Sequence, residues 1–182
     1  MNSIFDYMNE NFEKNPSSIM FYPSRKTFGE VKSLVEMTQE KFIKSGLRRG
    51  DRCLMLTPVG DEFFINLIAA LQLGAVPVLI DIKLGWSVVR KSLKGIGIKA
   101  LITQKRIIFL PFTKQSKSSL NFKVTGEDHS DSDLIYFTSG STGQPKPVFY
   151  KLHQVQTQVS ILRRSRYQLN EALANQISSG LS

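Results

Sequence analysis

The chain has 182 residues, 41% of them hydrophobic and 21% charged, with 24 basic residues against 15 acidic ones and a formal net charge of +9. That length is enough for one large core, or for a domain and part of another, and that balance excludes an intrinsically disordered chain. A single cysteine, Cys53, excludes an internal disulfide and points to a reducing compartment; no His or Asp pattern accompanies it, so it reads as core packing and not as a nucleophile.

In chain order, residues 4–14 place Ile4, Phe5, Tyr7, Met8 and Phe12 at mixed helical spacing and stop at Asn15-Pro16, which predicts a first helix. No basic segment followed by an apolar one opens the chain, which argues against a secretory signal. Ile19-Met-Phe-Tyr22 reads as a short strand. Thr27 with Glu30 three residues on is a capping box, so a helix is expected from there to about Ser45. Its apolar positions Val31, Leu34, Val35, Thr38 and Phe42 fall on one face, and Gly46 stops it. Gly50-Asp51 then turns the chain into a strand over 52–57. The densest apolar stretch, Phe63 to Ile80, is interrupted by Asn66, Gln72, Gly74 and Pro77. It reads as a helix over 62–73 and a buried strand over 75–80, not as a membrane span.

A second cycle follows, with a helix over about 86–95, a strand over about 99–103 and another over 107–110. Strands alternating with helices predict an α/β fold with a mostly parallel sheet flanked by helices. Residues 111–121 and 125–132 are polar and read as surface connections. His129 stands alone among acidic residues without metal-ligand spacing, so no metal site is expected there. The basic residues come singly and in pairs (Arg48-Arg49, Arg90-Lys91, Lys105-Arg106, Arg163-Arg164) with no aromatic interleaving. They read as a solvated surface and not as a nucleic-acid face.

The densest chemistry lies in Asp133-Leu-Ile-Tyr-Phe-Thr-Ser-Gly-Ser-Thr-Gly-Gln-Pro-Lys146. Leu134 to Phe137 reads as a strand, and Thr138 begins a loop at its carboxyl end, where ligands of open α/β sheets sit. Gly140 and Gly143 allow close backbone approach, while Thr138, Ser139, Ser141 and Thr142 supply hydroxyl donors and Lys146 a full positive charge. Such a loop suits a polyphosphate. It is not a Walker loop, because no glycine immediately precedes Lys146 and Pro147 follows it. Residues 147–151 read as another strand, so no helix N-terminus faces the phosphates. A flexible Gly/Ser connection is the competing reading, and the rigid proline beside a cation speaks against it.

Ile135 to Lys146 resembles the phosphate-loop signature of the AMP-forming adenylating superfamily, which includes acyl-CoA synthetases, adenylation domains of peptide synthetases, and luciferases. Three further segments are similar in the same order: Thr27-Phe-Gly-Glu-Val31, Gly46-Leu-Arg-Arg-Gly-Asp-Arg52 and Leu73-Gly-Ala-Val-Pro77. Pro77-Val-Leu-Ile-Asp81 with Gly85 looks closest to fatty-acyl ligases and olefin-pathway β-lactone synthetases. The resemblance implies that residues 1–182 are a truncated N-terminal part of the large domain of an AMP-binding enzyme. It implies ATP-dependent activation of a carboxylic acid, of fatty-acid type, to an acyl-adenylate with release of pyrophosphate, followed by transfer to coenzyme A. Thr138, Ser139, Gly140, Ser141, Thr142, Gly143 and Lys146 would then hold the ATP phosphates, Lys146 being the one catalytic residue within the chain. Mg²⁺ would accompany ATP, and the location would be cytoplasmic.

Two departures qualify the resemblance. Pro147 stands where most of the family has glycine, which fixes φ and removes one N–H. The family's later motifs (an acidic Mg²⁺ ligand, a ribose-binding aspartate, the hinge and a C-terminal catalytic lysine) have no counterpart up to Ser182. The chain alone is therefore expected to be catalytically incomplete, with a partner chain as one way to supply the remainder. The alternative is a non-catalytic nucleotide-binding or partner-docking half-module. His153 reads as a surface residue at a strand end.

Overall fold

A computed structural model describes residues 4–22, 24–104, 106–110, 132–138 and 145–154. Helix α1 spans Ile4–Lys14 and helix α2 spans Phe28–Lys44. The capping box forms as expected: the Thr27 N–H donates to Glu30 Oε2 at 2.8 Å and the Glu30 N–H donates to Thr27 Oγ1 at 3.3 Å. The Thr27 N–H, and then the Thr27 hydroxyl donating to the same Oε2 at 3.1 Å, hold the Glu30 carboxyl below its usual range. Val31, Val35 and Phe42 turn their shared face into the core, and Phe12 of α1 meets Phe28 edge-on at 6.1 Å.

Residues 19–22 do not form the expected strand. Met20 and Phe21 both donate their N–H to the Lys26 carbonyl, at 2.8 and 3.2 Å, and only one isolated bridge joins Ile19 to Thr27. The chain reverses through Arg25 at φ 58°, so no extended partner of useful length exists. The apolar side chains pack instead, Phe21 lying 6.0 Å from Phe64.

The sheet contains β1 (Arg52–Met55), β2 (Val76–Leu79), β3 (Ile98–Ile102), β4 (Ile107–Phe109), β5 (Leu134–Thr138) and β6 (Lys146–Tyr150) in the order β4-β3-β1-β2-β5-β6. The β1–β2, β1–β3 and β2–β5 pairs are parallel, while β3–β4 and β5–β6 are antiparallel. A parallel centre thus carries one antiparallel strand at each side. Pro77 sits inside β2, but β5 begins to pair with β2 only at Val78, one residue later. Helix α3 (Asp61–Leu73) joins β1 to β2. A short 3-10 turn (Ile82–Leu84) and helix α4 (Trp86–Ser92) lead from β2 back across β1 to β3. The last is three residues shorter than expected because a turn and Gly95, at φ 88°, follow it.

Crossovers running in opposite directions place their helices on opposite faces when both are right-handed. The two core clusters have that arrangement. One face packs Cys53, Met55, Ala100 and Ile102 of the sheet against α2 and α3; the other packs Leu54, Val78, Ile98 and Ile135 against Val89 of α4. Alternation along β1 therefore feeds both cores, as expected for a strand covered on both sides. No helix among the described residues is long and apolar enough to cross a membrane.

Helices α2 and α3 end in the same way. Leu47 N–H bonds to Phe42 O and Gly46 N–H to Ile43 O; Ala75 N–H bonds to Ala70 O and Gly74 N–H to Leu71 O, all at 3.0 Å. With Gly46 at φ 97° and Gly74 at φ 75°, both are Schellman motifs. Each delivers a buried residue, Leu47 or Ala75, to the start of a strand.

Candidate functional site

Because β1, β2, β3 and β5 run in parallel, their carboxyl ends share one edge of the sheet. The Thr57–Gly60 turn, Asp81 and Thr138, where β5 ends, all lie along it. Most polar groups at the opposite, amino edge are committed to structure. Asp51 Oδ2 accepts from the Arg48 N–H at 2.7 Å, and its two oxygens accept from Lys99 Nζ at 2.8 and 2.9 Å. The Arg52 guanidinium donates to Ile96 O at 2.7 Å, and burial lowers its pKa from the ordinary value. The Gly46–Arg52 segment is thus a joint between α2, β1 and β3. A concavity of about 570 Å³ also opens at this edge, bordered by Arg49, Gly74, Val76 and Asp133. It lies at the strands' amino ends, away from the loop.

The loop is held by a hairpin. Leu134 to Thr138 pair with Tyr150 to Lys146 in antiparallel register, and Asp133 closes the far end, donating its N–H to Tyr150 O at 2.9 Å and accepting the Leu152 N–H on Oδ2 at 2.9 Å. Thr138 stands opposite Lys146, so the two ends of the loop are brought together. Thr138 Oγ1 reaches Lys146 O only at 3.5 Å, a weak contact that leaves the hydroxyl available. The Lys146 side chain is exposed and has no ion-pair partner among the described residues. Ser139, Gly140, Ser141, Thr142 and Gly143 lie outside the described residues. Pro147 takes its place in β6 opposite Phe137. This is the outermost strand among the described residues, where a missing N–H is best tolerated. The expected strand after the loop is present and begins at Lys146.

Two carboxylates at the same edge are already engaged. Asp61, at the start of α3, has Lys26 Nζ 2.8 Å away; that bond, then one from the Ser24 hydroxyl, holds its carboxyl below the usual range. Asp81 Oδ1 accepts the Lys83 N–H at 2.9 Å. Among the described residues no group of three or more His, Cys, Asp or Glu side chains gathers to hold a metal ion. Thr57 was not anticipated. The residue is 7% exposed, and its hydroxyl has no hydrogen-bond partner among the described residues. It ends the β1 run two strand spacings, about 10 Å, from β5. The only sequence signal was a lone hydroxyl closing an apolar strand. Asn66 Nδ2, inside α3, is also buried without a partner among the described residues.

Cys53 is fully buried in β1, and burial first, then the charge of Asp51, pushes its thiol up to about 12. That matches core packing. Ser132, expected in a surface connection, is instead buried at the foot of β5. His129 lies outside the described residues, and His153 is exposed in the turn after β6.

Comparison with known proteins gives the arrangement its place. Vanchrobactin synthetase VabF of Vibrio anguillarum is 28% identical over 162 residues, and the olefin β-lactone synthetase of Xanthomonas campestris pv. campestris 25% identical over 147. These alignments take in 80% and 66% of this chain but 6% and 26% of those proteins. Among solved structures, the N-terminal domain of FACL13 from Mycobacterium tuberculosis superposes with a TM-score of 0.64 at 23% identity, covering 86% of this chain and 46% of that one. The o-succinylbenzoate coenzyme A synthetase of Bacillus subtilis in complex with ATP and magnesium gives 0.62 at 19%, again over 86% and 46%. At such identities the superpositions establish the fold. The profile of the AMP-binding enzymes matches residues 8–176, so the chain belongs to the AMP-binding enzyme family.

Proposed function

We propose that residues 1–182 are the first part of an adenylating domain and that the β5–β6 loop is its grip on the phosphates of ATP. The observation that carries this reading is the register of Thr138 opposite Lys146 at the carboxyl edge of the parallel strands. Thr138, Ser139, Ser141 and Thr142 donate hydrogen bonds to phosphate oxygens, Gly140 and Gly143 let the backbone approach, and Lys146 supplies the countercharge. In the reaction, a carboxylate oxygen attacks the α-phosphorus, the bond to the bridging oxygen breaks, and pyrophosphate leaves with the negative charge. Donors fixed at that position stabilise the charge as it develops.

The acid is of fatty-acyl type in this reading, on the resemblance of Pro77-Val-Leu-Ile-Asp81 with Gly85 to fatty-acyl ligases and olefin-pathway β-lactone synthetases, and coenzyme A is the acyl acceptor. Mg²⁺ bound with ATP would supply charge neutralisation there. The described residues offer it no ready carboxylate cluster. A cytoplasmic enzyme fits the lone reduced cysteine.

The test is binding of ATP to the chain by calorimetry. Saturable binding is expected, weakened about tenfold or more by Lys146→Ala, with no carboxylate-dependent exchange of pyrophosphate into ATP by this chain alone. Binding indifferent to both Lys146→Ala and Thr138→Ala would remove the loop from the function. Exchange by the chain alone, abolished by Lys146→Ala, would show it to be catalytically complete, contrary to the reading.

A further inference from the structure

The charge of this chain is placed unevenly along it. Between Asp81 and Glu127 there is no acidic residue, while ten basic ones run from Lys83 to Lys123. Of the 24 basic residues fourteen remain for the rest of the chain, against all 15 acidic ones, so the net charge of +9 resides in this stretch. Its described part surrounds α4 and exposes Lys83, Arg90, Lys91 and Lys94. None of these four has an ion-pair partner among the described residues, whereas Lys99, nearer the core joint, pairs with Asp51 at 2.8 Å.

Helix α4 turns Val89 fully inward and packs Leu93 behind it. Trp86 and Arg90 stand at i, i+4 spacing on the helix, with Lys91 next to Arg90 and Lys94 in the turn just past the helix end. Trp86 is 61% exposed and Leu84, in the turn before the helix, 41%. A tryptophan and a leucine left in water beside unpaired cations is the composition of an interfacial membrane contact. The apolar tips enter the headgroup region and the cations meet anionic headgroups. A nucleic-acid face would need several aromatic rings to stack bases, and this patch has one.

We infer that α4 and the turn before it form a docking surface for an anionic lipid bilayer, a property independent of the function proposed for the loop. Charge complementarity identifies the occupant: four cations without a counterion among the described residues, flanking two exposed apolar side chains, fit a surface that is both anionic and apolar beneath.

Trp86 is the only tryptophan of the chain, so its fluorescence reports on this patch directly. With the full chain, vesicles of phosphatidylcholine containing about one third phosphatidylserine shift the emission to shorter wavelength, and vesicles of phosphatidylcholine alone do not. Neutralising three cations together (Lys83→Gln, Arg90→Gln, Lys91→Gln) lowers vesicle affinity on the order of a hundredfold, about fivefold for each. Neutralising Lys14, Lys41 and Lys44, on α1 and α2, changes it by about twofold or less. No shift on anionic vesicles, an equal shift on neutral ones, an equal loss in the α1/α2 variant, or tighter binding of single-stranded RNA than of anionic vesicles would each overturn the inference.

Discussion

The two edges of the sheet use similar residues for opposite ends. At the amino edge, Gly46, Leu47, Asp51, Arg52 and Gly74 close helices, cap N–H groups and tie β1 to β3. At the carboxyl edge, among the described residues, the Thr138 hydroxyl makes one weak contact, the Lys146 ammonium has no ion-pair partner, and the Thr57 hydroxyl is buried without a bond. Both edges carry segments that resemble the same enzyme superfamily. The difference teaches that such a resemblance mixes residues that build the domain with residues the fold leaves uncommitted, which the proposed function gives to a ligand. Hydrogen bonding in the folded chain separates the two.

Substitutions at the amino edge should therefore act on stability, and the size of the effect follows burial. Leu47→Ala removes a side chain with 0% exposure beneath the first Schellman turn and should destabilise by about 2–5 kcal/mol in urea unfolding. Asp51→Ala leaves the Arg48 N–H and Lys99 without their acceptor and should cost about 1–3 kcal/mol. Gly74→Ala puts a Cβ at φ 75°, within 3.0 Å of the Arg49 side chain; Arg49 is long enough to move, so the left-handed backbone sets a cost of about 1–2 kcal/mol. A loss below about 0.5 kcal/mol at all three positions would break the contrast between the edges.

The smallest effect at neutral pH comes from Cys53. Its folded thiol keeps a proton up to about 12, whereas an ordinary thiol releases it near 9.0. The native state then binds one more proton than the unfolded chain between those values. Stability is unaffected below about 9 and falls as pH rises from there towards 12. Unfolding midpoints measured across that range should decline less in Cys53→Ala, compared as slopes, and a thiol reagent should react with Cys53 only on unfolding.

Much of this was legible in local sequence. The Thr27–Glu30 capping box, the end of α3 at Gly74 and the two strands flanking the loop are set by side-chain chemistry within a few residues, and each appears where the sequence places it; the antiparallel pairing of those strands was not foreseen. Strand order was not legible. The return of the chain over β1 to form β3, and the antiparallel β4, depend on which apolar faces meet in three dimensions, to which periodicity is blind. Residues 19–22 show the same limit: their β-forming composition was sound, but the reversal at Arg25 gave them a core to pack against instead of a strand to pair with. Within the candidate site, Thr138 and Lys146 were legible because one motif joins them, whereas the burial of Thr57 without a hydrogen-bond partner among the described residues shows only in the packed structure.

The central claim is that the carboxyl edge serves a ligand and the amino edge serves the fold. Lys146→Ala tests it most directly, with ATP affinity and urea unfolding measured on the same preparation. The account predicts an unfolding free energy within about 0.5 kcal/mol of the parent chain, since the side chain is exposed, together with ATP affinity lower by about tenfold or more. Unchanged ATP affinity, or a loss of stability comparable to that of Asp51→Ala, would contradict it.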